Sequence, residues 1–147
     1  LKENGKWIVA ESSIPFSKKT PFCKFIQKTA HDQYSIRRIG HTHFATKEME
    51  QIHKQADANM GRIYDLNFNY DSKRLFCSKF VYDLILDSTG IEIGQVETLG
   101  DILKRNPTGD KTFWEYWFFG DVPWEQRTIT PQSMYEDRKL ITVSEQL

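Results

Sequence analysis

Sulfur is scarce in this sequence: Cys23 and Cys77 are the only two cysteines among 147 residues. Two are too few for the disulfide scaffolds that hold small secreted domains together. Neither charge sign is in excess, with 20 Lys+Arg against 20 Asp+Glu. A nucleic-acid partner is therefore not expected, because such proteins ordinarily carry a clustered basic excess. No apolar run approaches the roughly 18–20 residues of a membrane-spanning helix. Internal repeats, linkers and low-complexity tracts are also missing. The chain starts Leu1-Lys2-Glu3, without an initiator Met, a charged leader or an apolar leader segment.

Large apolar side chains are abundant. Ten Phe, six Tyr and four Trp make up 14% of the chain, and hydrophobic residues reach 39%. That much apolar surface offsets the entropy of ordering, so a folded chain is expected. The length suits one core, and a single domain over residues 1–147 is the economical expectation. Asn4-Gly5 is a strong hairpin signal, since a type I′ turn needs positive φ at both central residues. Lys6 to Glu11 reads as the second strand of that hairpin. Its partner has only Leu1 and Lys2 before Glu3, so most of a strand is expected to precede Leu1.

Further along, Ser12 to Thr20 reads as loop between Pro15 and Pro21. Thr20 is placed to cap a short helix carrying Phe22, Phe25 and Ile26. Gln33 to Ile39 suggests a strand. Thr46 is placed to cap a helix bearing Met49, Ile52, Ala56 and Met60, which Gly61 stops. Cys77, Phe80, Val81, Leu84 and Ile85 recur at helical spacing until Thr89-Gly90. The aromatic run Phe113 to Phe119 follows, and Leu140 to Val143 forms a last strand. The class is α+β.

Cys77 is the residue with a mechanism. It stands at the start of a helix, where unpaired N–H groups and the macrodipole favour a thiolate. A thiolate there becomes a nucleophile when a histidine activates it and a third polar group orients the histidine. A cysteine on an apolar helix face is more commonly structural, and Cys23, between Phe22 and Phe25, fits that plainer role. Glu11 ends an otherwise apolar strand, an unusual place for a carboxylate without a partner.

Gly61-Arg62-Ile63-Tyr64-Asp65, with Phe76-Cys77-Ser78-Lys79-Phe80-Val81-Tyr82, resembles the "G-x-x-Y-D … Y-C-S-E-L-V-Y" block of the YiiX-like family, permuted relatives of the NlpC-type papain-like cysteine hydrolases. The likeness continues through Thr89 to Gly94 and Leu99-Gly100-Asp101. Earlier, Ile8-Val9-Ala10-Glu11 is similar to the family's "V-x-E-A" strand and Ser35-Ile36-Arg37 to its "V-x-R" strand. Ile129 to Met134 is similar to its "S-P-x-x-[LIMV]" segment.

The resemblance implies a circularly permuted papain-like fold. A small antiparallel sheet or half-barrel would pack on helices, with the nucleophile at a helix N-terminus. It implies a Cys-His-Glu hydrolase in which Cys77 attacks and Glu11 orients the histidine. Tyr64 and Ser78 would shape the oxyanion site and position substrate. The family's histidine lies in an "H-x-G" segment just before the acid-bearing strand, and none of His31, His41, His43 or His53 matches that position. Lys79 stands where the family has Glu and is expected to point away from the nucleophile. Family members are commonly bacterial and often exported, which favours the envelope, periplasm or secretion over the cytoplasm.

His41-Thr42-His43 puts two imidazoles on one side of an extended segment, but a metal site would need further ligands recruited from Cys23, His31 or His53. A solvated pair is the plainer reading, and no metal or cofactor is expected. The aromatic run is expected mainly in the core, with some rings left to line the groove beside Cys77. The stretch Lys104 to Lys111 reads as a solvated loop. The functional expectation is thus a thiol hydrolase cleaving an amide or ester through an acyl-enzyme, on a peptide, amino-acid amide or acyl substrate. The competing expectation is a binding module of the same fold without turnover.

Overall fold

The computed structural model describes residues 1–29, 33–40, 44–105 and 111–146. His31, His41, His43 and the centre of the Lys104–Lys111 stretch lie outside them. Asn4 and Gly5 adopt φ of 47° and 77°, the pair of left-handed residues a type I′ turn requires. They join β1 (Lys2–Glu3) to β2 (Lys6–Glu11) with Glu3 opposite Lys6 and Lys2 opposite Trp7. Leu1 bonds Ile8 through its amino group (2.9 Å) and its carbonyl (2.8 Å).

The segment expected to be loop contains a strand, β3 (Lys18–Pro21), antiparallel to β2 with Glu11 opposite Lys18. Its residues carry no alternating apolar pattern; the pairing with β2 is what makes it a strand. α1 (Phe22–Ile26) follows with Pro21 at its N-cap and no side-chain cap. Thr20 does not cap it, because its hydroxyl bonds Glu11 instead. β4 (Tyr34–Ile39) leads to α2 (Thr46–Ala58), where Thr46 is the first helical residue and not the cap. Glu48 Oε2 accepts from the Ala45 N–H at 2.8 Å and so serves that helix end. The backbone leaves α2 through Gly61 at φ 76°.

α3 (Cys77–Thr89) ends on Gly90 at φ 72°. Then come β5 (Val96–Thr98), α4 (Leu99–Arg105), α5 (Lys111–Trp117), β6 (Arg127–Ile129), α6 (Pro131–Tyr135) and β7 (Leu140–Gln146), the last extending beyond the expected Val143. Among the described residues the antiparallel content is divided among three small sheets, β1-β2-β3, β4-β7 and β5-β6. β4 and β7 carry a bulge between Ile36 and Arg37. α2 packs on α3, burying Ile52 and Ala56.

Phe76, Tyr82 and Ile129 form the centre of the core, with Tyr64, Phe68, Leu86, Val96 and Met134 packed around them. α3 buries Ser78, Lys79, Phe80 and Tyr82, not the single stripe its spacing predicts. Val81 is 40% exposed and Cys77 is exposed, because both face the side of the helix that α6 and β7 flank. Lys79, expected to point away from the nucleophile, makes no bond to Cys77 among the described residues. It is buried, its ammonium bonds the carbonyls of Ser72 and Arg74, and it lies 5.5 Å from the Tyr70 ring centroid.

The aromatic run splits. Trp114 and Trp117 lie 6.0 and 5.6 Å from Phe68, which lies 5.9 Å from Phe76. Phe113, Tyr116 and Phe119 remain exposed. Among the described residues no helix is long and apolar enough to cross a membrane.

Candidate active site

The site begins with a constraint on the backbone. Phe76, the N-cap of α3, is extended at φ −118° and ψ 169° and is 1% exposed. Ser78, on the other side of Cys77, is also buried, and its hydroxyl donates to Ile129 O at 2.7 Å. With both neighbours anchored inward, the Cys77 thiol projects outward from the first turn of the helix. No acidic residue occupies that turn, so the positive end of the helix acts on the sulfur without a competing charge.

Tyr64 reaches the same point from another segment. Its N–H donates to Pro15 O at 3.0 Å, and it bridges in parallel with Leu75. That placement leaves its hydroxyl 3.8 Å from Cys77 Sγ, to which it donates. Burial first, and the charge of the Cys77 thiolate next, push the Tyr64 phenol up to about 12. The group is a standing donor at any physiological pH.

Glu11 is fixed at the end of β2. Its Oε1 accepts from Thr20 Oγ1 at 2.5 Å and from Lys28 Nζ at 3.0 Å. Oε2 makes no hydrogen bond among the described residues. Burial favours the neutral acid, but the bonds from Thr20 and Lys28, with the charges of Lys28 and Lys18, outweigh it and hold the carboxyl below its ordinary value. No hydrogen bond joins Glu11 to Cys77. The link runs through the next residue: Ser12, 4% exposed, donates its hydroxyl to Leu75 O at 3.2 Å, two residues before the cysteine. The Asp65 N–H donates to that same carbonyl at 2.8 Å.

The structure therefore joins Tyr64 to Cys77 directly and ties the Glu11 strand to the approach to Cys77. It gives the Ser78 hydroxyl to the core, leaving its backbone at the helix start. Among the described residues no histidine bonds Cys77 or Glu11. On the β2 edge away from β3, Leu1 is bonded to Ile8, and Val9 to Glu11 have no strand neighbour among those residues.

Beside Cys77 runs an open groove of about 280 Å³, walled by Arg37, Val81, Pro131, Met134, Tyr135 and Leu140. No ring of the Phe113–Phe119 run lines it. A larger cleft of about 580 Å³ around Ile39, Leu86 and Lys139 has no cysteine, serine or threonine in its lining. Thr20 and Ser12 escape sequence reasoning because they act through partners distant in the chain. Arg37, Pro131 and Met134 stand in segments that carry the family resemblance, yet nothing in their spacing reveals a shared groove.

A family model described as "Permuted papain-like amidase enzyme, YaeF/YiiX, C92 family" matches residues 1–144. The uncharacterized protein YiiX of Escherichia coli K12 is 23% identical over 143 residues, 97% of this chain and 69% of that protein. A crystal structure titled as the metalloprotein yiiX from Escherichia coli O157:H7 superposes with a TM-score of 0.87 at 22% identity. It covers 99% of this chain and 79% of that one, and at such identity the likeness is one of fold.

Proposed function

The chain belongs to the permuted papain-like amidase family YaeF/YiiX, C92, and from that premise we propose that it cleaves an amide or ester through a Cys77 acyl-enzyme. A thiol hydrolase is what the family supports in general. The observation that carries the finer reading is Cys77 itself, projecting from the start of α3 with a protonated Tyr64 hydroxyl 3.8 Å from its sulfur.

In the proposed reaction the thiolate attacks the carbonyl carbon, a C–S bond forms and the oxygen takes the negative charge. Tyr64 and backbone N–H groups at the start of α3 donate to that oxyanion. The tetrahedral intermediate collapses, the C–N or C–O bond breaks and the leaving group departs with a proton. Water then attacks the thioester, releasing the acid and restoring the thiol. The resemblance gives the proton carrier as a histidine just before the acid-bearing strand, and Glu11, whose Oε1 accepts from Thr20 and Lys28, is the residue that orients it. Among the described residues no three His, Cys, Asp or Glu side chains converge on a metal position.

One observation favours the second reading, a binding module of the same fold: no histidine bonds Cys77 or Glu11 among the described residues. Iodoacetamide at about pH 6, with adducts located by mass spectrometry, separates the two. Cys23 is also exposed and serves as the internal control. Cys77 is expected to alkylate at least about tenfold faster than Cys23, and Cys77→Ala to lose at least about a thousandfold in hydrolysis. Equal rates for the two cysteines, with no turnover of acyl esters, overturn the enzyme reading.

A further inference from the structure

The loop before Phe68 and the turn after α5 face each other across a further cleft. Its volume is about 410 Å³, and its lining is Leu66, Asn67, Tyr116, Trp117 and Phe119. None of these residues lines the groove beside Cys77, and none carries a charge. Lys111 and Glu115 of α5 are paired with each other at 3.1 Å.

Both walls carry a phenylalanine in the left-handed region, Phe68 at φ 54° and Phe119 at φ 53°. A bulky side chain avoids that conformation, which glycine adopts freely. Phe68 is compensated by packing, with its ring 5.9 Å from Phe76 and 5.6 Å from Trp117. Phe119 has no such compensation, for it is 97% exposed. Strain that the fold does not repay marks a surface shaped for something outside it.

The cleft is also preformed. Trp117 Nε1 donates to Leu66 O at 2.9 Å and latches one wall to the other. Phe113 stacks on Trp117 at 5.8 Å and 26°, and Gln126 Nε2 donates to Asn67 O at 2.8 Å. Two polar groups stay unspent. Among the described residues, neither the Asn67 side-chain amide nor the Tyr116 hydroxyl makes a hydrogen bond.

We propose that this cleft binds an uncharged glycan of all-equatorial sugar rings, the class to which cello-oligosaccharides belong. Such a ring has C–H bonds on its flat faces and hydroxyls around its edge. The C–H faces match the electron-rich faces of Tyr116, Trp117 and Phe119, and the edge hydroxyls match the Asn67 amide. A neutral lining offers no counter-charge to a charged ligand. A bilayer fits less well, since insertion strips water from the Asn67 amide without replacing its hydrogen bonds. The proposal is independent of the chemistry at Cys77.

The test is calorimetric titration of the full chain with cellohexaose. Saturable heat with a dissociation constant below about 1 mM is expected. Phe119→Gly removes the ring and relieves the left-handed strain. It is expected to raise the melting temperature while weakening binding at least about tenfold. Asn67→Ala is expected to weaken binding at least about threefold with an unchanged melting curve. A residue that serves only the fold moves stability and binding in the same direction.

No heat from cellohexaose overturns the proposal, as does binding that survives in Phe119→Gly. A lowered melting temperature in Phe119→Gly assigns that ring to the fold and overturns it as well. Pelleting with phosphatidylcholine vesicles that Phe119→Gly abolishes, without heat from cellohexaose, overturns it in favour of a bilayer surface.

Discussion

Tyr64 and Glu11 make opposite uses of protonation. The Tyr64 phenol, pushed up to about 12 by burial and by the charge of Cys77, keeps its proton and donates. Tyr64→Phe keeps the ring against Phe68 and removes the donor. It is expected to lower kcat by about 10²–10³ with a smaller change in KM, measured on an activated ester. Glu11 is held below its ordinary value of 4.5. A lowered carboxyl takes up its proton less readily folded than unfolded. It therefore stabilises the fold above about pH 4.5, and that contribution disappears as pH falls through the folded value. Glu11→Gln is expected to cost about 1–2 kcal/mol near neutral pH. Its urea midpoint should also fall less than the wild type's between about pH 6 and about pH 3, since part of the acid-linked loss is gone. The sequence makes Cys77 and Glu11 legible, one by its place before an apolar helix and the other by its place on an apolar strand. Thr20 and Lys28, which position that carboxylate, lie 9 and 17 residues away in segments whose local pattern points to other roles.

α6 shows how a short element gains a fixed position from outside itself. Gly94, at φ 83°, is so close that a Cβ there would lie 2.9 Å from Met134 Cγ and from Ser133 Oγ. Gly94→Ala meets both an unfavourable backbone conformation and a clash. It is expected to cost about 1–3 kcal/mol, seen as a lowered urea midpoint. The same scale explains which elements could be read beforehand. The Asn4-Gly5 hairpin and the helices from Thr46 and Cys77 announce themselves through turn chemistry and long periodic runs. β5 and β6 have three residues each, too short for alternation to register, and β3 carries no apolar alternation. The buried face of α3 departs from its apolar stripe because Ser78 and Lys79 carry partners inward, a hydroxyl to Ile129 O and an ammonium to Ser72 O. A pattern built on hydropathy reads such residues as solvent-facing.

At the scale of the whole molecule, the surroundings of Cys77 are drawn from distant parts of the chain. Ser12 reaches Leu75 across 63 residues, and Ser78 reaches Ile129 across 51. Closures of that length carry a loop-entropy cost and raise the contact order, which slows folding. On the hydrolase reading, Cys77 becomes reactive only once these bonds fix Ser78 inward and Leu75 two residues before it. The Ser12–Leu75 clasp thereby acts as a clock on reactivity. During refolding, pulses of iodoacetamide are expected to show Cys77 labelling accelerate only with the final change in tryptophan fluorescence, while Cys23 labels at a steady rate.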